Sequence, residues 1–260
     1  MARAIATVLA EIDDYESEVI MSYLAVVFIV GLVIAIHECG HLVAAKWCGI
    51  PIERFSVGFG PKLFGFRRGG TSYWLSAVPI GGYVLPALDE NASRRLPLRK
   101  SILFALGGPV ANVAAAYLGL IAFGGLQFDL SAFEAFSFAT TRLWLELRSM
   151  VQAIAMLFGG MGEISGIVGI VAIGGSQFGS TLAGVLVFSV AINLNVAIFN
   201  LLPFPPLDGG RIAFCLLERA YRPLYRMQAP ITLVGWVVVL SLMVYATLHD
   251  LGRLGLSILS

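Results

Sequence analysis

Charged residues are scarce in this chain. They make up 13% of its 260 residues, against roughly 25% in an ordinary soluble domain. With 58% hydrophobic residues and 29 glycines, that shortage excludes a conventional soluble domain and implies a polytopic membrane protein. Cysteine is scarce too. Cys39, Cys48 and Cys215 give no disulfide framework, and Cys39, two positions after His37, reads as a packing residue turned away from the histidines. A net charge of +1 offers no basic surface to nucleic acid. The chain start lacks a basic n-region. Glu11, Asp13, Asp14, Glu16 and Glu18 make residues 1–19 an acidic tail instead, so the first apolar run is expected to stay in the mature protein.

What is present is apolar sequence in long blocks. A membrane span needs about 20 apolar residues, and four segments qualify: 20–46, 101–128, 181–202 and 227–249. The uncharged stretch Ile164–Leu207 is too long for one helix, and Gly174-Gly175-Ser176 and Gly179-Ser180 break it before the third span. Val151–Gly162 is apolar but too short to cross, which suits an interfacial or partly embedded helix. Thirteen Lys and Arg fall in 46–100 and 203–227, and the other four elsewhere. Positive-inside bias then puts those two segments in the cytoplasm and both termini outside. Spans one and three consequently end on the same, inner face.

The inner segment 52–86 differs from its surroundings. Aromatic and β-branched runs at Arg54–Gly58, Lys62–Phe66, Thr71–Val78 and Tyr83–Leu85 alternate with Gly58, Gly60-Pro61, Gly69-Gly70 and Gly81-Gly82. That punctuation predicts a small membrane-associated β-hairpin loop after the first span. The expected fold is therefore mainly α, one membrane-embedded domain over 1–260 with about four transmembrane helices and this loop.

Ionisable groups inside a bilayer are costly and seldom accidental. His37-Glu38-Cys39-Gly40-His41 ends the uncharged run Ile20–Ile36. On a helix, residues i and i+4 share a face. Two imidazoles so spaced can hold one zinc ion, and the intervening Glu38 can act on its water. The bland alternative is that these side chains pair with one another or with backbone. A catalytic zinc takes three protein ligands and leaves a position for water. Asp208 is the only acid between Ile164 and Leu217 and stands near the inner end of the third span. Pro203, Pro205 and Pro206 end that helix before it. A bridge to Arg211, or a cap for the next helix, is the alternative reading of Asp208. His249, at the outer end of the fourth span, reads as interfacial.

The pairing of HECGH with Asn200…Pro203…Leu207-Asp208-Gly209 resembles the site-2 protease family of intramembrane zinc metalloproteases. Ser56-Val-Gly-Phe-Gly-Pro61, Pro79-Ile-Gly-Gly-Tyr83 and Gly107-Gly-Pro109-Val-Ala-Asn112 are similar to its bacterial branch. The resemblance covers roughly Ile20 to Arg211. It implies one Zn2+ per chain on His37, His41 and Asp208, with Glu38 as general base. It also implies that Asn200 and Pro203 help bind the substrate backbone, and that the loop around Thr71–Leu85, with Thr71, Tyr73 and Leu75, takes an extended peptide as an added strand. The implied activity is hydrolysis in or near the transmembrane segment of single-span membrane proteins, in the bacterial inner membrane, with the site toward the cytoplasm. Many bacterial relatives carry a PDZ domain between the second and third spans. Here 129–180 is too short for one with its flanking segments, and is expected to hold a helix over Arg142–Gly159. A stretch from Ser165 to Gly169 lacks the proline of the corresponding family segment. The rival function class is a metal-binding membrane transport or scaffold protein without proteolytic activity, since intramembrane His, Glu and Asp also line ion pathways.

Overall fold

The computed structural model describes residues 2–89, 92, 96–158, 181–221 and 224–258, with the first 23 as backbone alone. Helix α1 covers Ala2–Trp47. Strands β1 (Ile52–Arg68) and β2 (Thr71–Pro86) follow. After them come α2 (Leu98–Phe128), α3 (Ala132–Phe158), α4 (Leu182–Asn200), α5 (Asp208–Ala220) and α6 (Tyr225–Ile258). Four stretches are long and apolar enough to cross a membrane: Leu24–Trp47, Leu98–Phe128, Leu182–Asn200 and Arg226–His249. They agree with the four predicted spans to within a few residues. The glycine-rich break before α4 and the Ser165–Gly169 stretch lie outside the described residues, as do the side chains of the acidic tail.

Each span buries a stripe against its neighbours and turns the rest outward. Val26, Ile29 and Val33 of α1 meet Phe188 of α4. At the other end of α1, Leu42, Ala45 and Cys48 join Ile50, Ile52, Phe55 and Phe104, so the sheet leans on the ends of α1 and α2. Helix α6 is the least covered span; Leu233 and Val234 are both more than half exposed. Apolar side chains on an outward helix face suit a lipid environment.

Helices α1 and α2 approach backbone to backbone. A methyl group at Gly40 would lie 2.2 Å from the Gly107 carbonyl oxygen, and one at Gly107 would lie 2.6 Å from that of Gly40. Small residues permit such close crossings where no hydrophobic effect drives helices together. This contact sits one residue from His41. Cys39 is exposed, so it does not pack in the core.

Helix α3 begins earlier than its predicted start at Arg142. Ser131 and Glu134 form a capping box: the Glu134 carboxylate accepts from the Ser131 amide at 3.0 Å and hydroxyl at 2.6 Å. Such a box satisfies orphan donors of the first turn. The Ser-x-x-Glu signal is present in the sequence and marks the true start. Ala139, Leu143, Leu147 and Met150 then lie on α2 and α4, packing with Ala116, Leu120, Val190 and Leu194.

The sheet is a tight, bent structure. Across the Gly69-Gly70 turn, Arg68 pairs with Thr71 and the ladder runs on to Lys62 and Ser76. Arg54–Val57 has Ser72–Leu75 on one side and Gly82–Leu85 on the other. Thr71–Leu75 is therefore flanked by both halves of β1. The hairpins expected over 52–86 are present, but Thr71, Tyr73 and Leu75 are interior to the sheet, because β1 folds back and covers both sides of them.

Candidate metal centre

Helical spacing places His37 and His41 together, as the sequence predicts. Both are buried, and their Nε2 atoms are 3.2 Å apart. Asp208 reaches them from 171 residues away, with Oδ2 at 3.1 Å from His37 Nε2 and 3.2 Å from His41 Nε2. Among the described residues these three form the one grouping of His, Cys, Asp or Glu able to hold a metal ion. His249 is not part of it and stacks on Tyr245 instead.

The outward ring nitrogens settle what the inner ones carry. His37 Nδ1 lies 2.6 Å from Asn112 Oδ1. Asn112 uses its amide nitrogen on the Val33 carbonyl at 3.1 Å and on Asn193 Oδ1 at 2.8 Å. Carbonyls only accept, so the Asn112 oxygen must face His37, and Nδ1–H is the donor. His41 Nδ1 lies 2.8 Å from the Phe104 carbonyl oxygen, and it too must donate. With neutral rings, both Nε2 atoms then present lone pairs to each other and to a carboxylate oxygen. Three lone pairs at such separations repel unless a cation lies among them. Zinc–nitrogen bonds of about 2.05 Å at a tetrahedral angle separate neighbouring donors by about 3.3 Å. The observed separations and this donor set fit zinc. Hydrogen bonding of a ligating imidazole through its far nitrogen is the usual supporting arrangement.

The chain delivers Asp208 through a short turn. Helix α4 ends at Asn200. Leu202 then bonds the Phe199 carbonyl, and Leu207 that of Phe204. Asp208 opens α5 behind an N-cap at Leu207 that makes no side-chain cap bond. The capping alternative therefore fails. The Arg211 alternative fails as well, because that guanidinium lies over the Phe104 ring at 4.7 Å. Burial lowers the Arg211 pKa, partly offset by Cys215 and Asp208; arginine stays charged nonetheless.

Glu38 is half-buried and faces the sheet, where a methyl at Gly82 would begin 2.8 Å from its Cγ. Gly82 belongs to the open edge Gly82–Leu85, so base and edge are adjacent. Asn200 is half-buried and donates to its own helix at the Val196 carbonyl, 2.9 Å away. Pro203 is exposed in the turn after it. Thr71 donates to the Ile52 carbonyl at 2.9 Å, Tyr73 stacks on Phe66, and Leu75 is half exposed. None of these three is at the open edge. The sequence reading assigned no role to Asn112, Asn193 or the Phe104 carbonyl. An amide in the middle of an uncharged span is the signal that could have flagged Asn112.

Comparison with known proteins agrees with this geometry. The model of peptidase family M50 matches residues 25–243. A protein of Nostoc sp. whose name assigns it to the zinc metalloproteases is 24% identical, over 90% of this chain and 97% of its own length. A similarly named protein of Synechocystis sp. is 23% identical over 89% and 94%. One from Treponema pallidum is 40% identical, over 36% of this chain and 25% of its own length. The match spans every element that contributes a side chain to the centre, and the chain belongs to peptidase family M50, the site-2 proteases, as a membrane zinc metalloprotease.

Proposed function

We propose that the protein hydrolyses peptide bonds in or near the transmembrane segment of single-span membrane proteins, as one step of regulated intramembrane proteolysis. The observation that carries this reading is the position of the triad. His37, His41 and Asp208 converge at one end of a membrane span, beside Glu38 and an open sheet edge. Charge bias supports placing that end in the cytoplasm, and the bacterial sources of the relatives support an inner-membrane location.

In this reading His37, His41 and Asp208 hold one zinc ion. Bound zinc supplies a Lewis acid that polarises the scissile carbonyl and acidifies water. Glu38 accepts the proton of the attacking water and returns it to the leaving amine. A membrane helix shields its own peptide bonds, so the substrate must unwind first. Pairing with Gly82–Leu85 would replace its lost backbone hydrogen bonds. One amide hydrogen of Asn200 is held by Val196, which fixes its carbonyl oxygen as an acceptor for a substrate amide, with Pro203 beside it. Asn112 orients His37. Asn112→Ala is expected to weaken zinc binding about 10- to 100-fold, measured by competition with a chromogenic chelator.

The deciding experiment places the purified protein in proteoliposomes with a single-span reporter, and follows zinc flux in the same vesicles. A cut mapped by mass spectrometry to the reporter's span, without flux, is the expected result. Zinc movement with an intact reporter would establish the transport reading instead.

A further inference from the structure

A hydrogen-bond chain runs from the metal centre across three spans, and Asn193 of α4 is its far member. Asn193 Nδ2 donates to the Ser189 carbonyl one turn earlier at 2.8 Å, with the Ser189 hydroxyl 3.4 Å away. A carbonyl only accepts. That fixes which atom of the amide is nitrogen, and Asn193 Oδ1 faces Asn112, whose Nδ2 donates to it at 2.8 Å. Asn112 Oδ1 in turn takes the His37 Nδ1 proton at 2.6 Å. Every donor therefore points away from the metal position, from α1 through α2 to α4. Asn112 and Asn193 are 0% and 2% exposed, so neither water nor lipid competes for these bonds.

Donors aligned in this way strengthen one another. His37 becomes a better donor at Nδ1 once its Nε2 lone pair is shared with a metal. The Asn112 amide passes that polarisation on, so its bond to Asn193 is worth more with the centre filled than empty. The same bond sets where α4 stands. Val26, Ile29 and Val33 of α1 meet Phe188 of α4, but such apolar contacts gain little over lipid tails and fix neither height nor rotation tightly. A buried hydrogen bond of 2.8 Å fixes both, because it tolerates little sliding or turning. Helix α4 is the one that ends at Asn200 and feeds the turn to Asp208. Asn193 thus bears on two of the three ligands, on His37 through Asn112 and on Asp208 through its own helix.

We infer that Asn193 is a positioning residue of the metal centre. It completes the chain that orients His37, and it holds α4 at the height that delivers Asp208. The inference rests on the metal centre and stands whatever substrate is cut there.

The test measures zinc affinity of the full chain in nanodiscs by chelator competition, with visible spectra of the same proteins loaded with cobalt(II). Asn193→Leu keeps the bulk and removes the acceptor. Its zinc affinity is expected to fall about tenfold, and its cobalt d–d bands should change shape. Asn193→Asp should stay within about twofold of wild type, with the wild-type spectrum, because a buried carboxylic acid accepts from Asn112 and donates to Ser189 as the amide does. In an Asn112→Ala background, Asn193→Leu should cost nothing further, since the chain is already cut. An equal loss in both backgrounds would make Asn193 a packing residue and overturn the inference. So would wild-type affinity in Asn193→Leu, or a loss in Asn193→Asp as large as in Asn193→Leu. Should circular dichroism show that Asn193→Leu does not fold, Asn193→Ser takes its place in the same cycle; its side chain is too short to reach Asn112, and the same tenfold loss is expected.

Discussion

Glu38→Gln is expected to reduce cleavage about a thousandfold or more while leaving one zinc per chain. Glutamine keeps the size of glutamate but cannot take up a proton, so only the base is removed. General-base catalysis of this kind contributes roughly 10²–10⁴-fold, and restoring the proton to the leaving amine would fail as well. Glu38 is not among the three groups that converge on the centre, which is why metal content should hold. Its side chain lies against the Gly82 edge. Cleavage rate on the single-span reporter and zinc per chain by plasma emission are the two measurements. Persistent cleavage would place the base elsewhere. Loss of zinc would make Glu38 a ligand and the present geometry incomplete.

A larger structural effect is expected from the smallest substitution, Gly108→Ala. The new methyl carbon would lie 2.5 Å from His37 Nε2 and 2.5 Å from His41 Nε2. That is the space between the two ligand nitrogens, and van der Waals contact would require about 3.4 Å or more. Gly107 beside it already touches the Gly40 backbone, so the two helices meet without slack and the added methyl must either displace the imidazoles or push the helices apart. The methyl therefore competes directly with the metal. Zinc per chain should fall below about a tenth of wild type, more than the 10- to 100-fold weakening typical of an outer-shell change would produce at saturating zinc. Alanine favours helix over glycine by about 1 kcal/mol, so α2 itself should form, and circular dichroism should show unchanged helix content. Full zinc occupancy in this variant would mean that the imidazoles point elsewhere in the working protein.

Much of the fold was legible because membrane spans are written locally. A run of apolar residues about one bilayer long identifies itself without reference to any other segment, and the four spans came out within a few residues of their positions. Helix α3 starts ahead of the expected Arg142, at a local signal, the Ser131–Glu134 capping box, that the expectation does not use. The sheet is legible in its glycine punctuation, but the order of its strands is not. Which strand lies outside depends on β1 folding back so that Arg54–Val57 sits between two parts of β2, and no alternation pattern within one strand records that.

The HExxH spacing, the count of spans and the one acid near the end of the third were enough to nominate His37, Glu38, His41 and Asp208. Their convergence was not, since it requires α4 and the turn after it to bring Asp208 back across 171 residues of chain. Sequence alone determined which groups could bind a metal, because an i,i+4 pair is made by the helix that carries it. Only the tertiary structure decided that they do meet, which ring nitrogens are free, and that Gly108 leaves the space between them, because each of those depends on where one helix touches another.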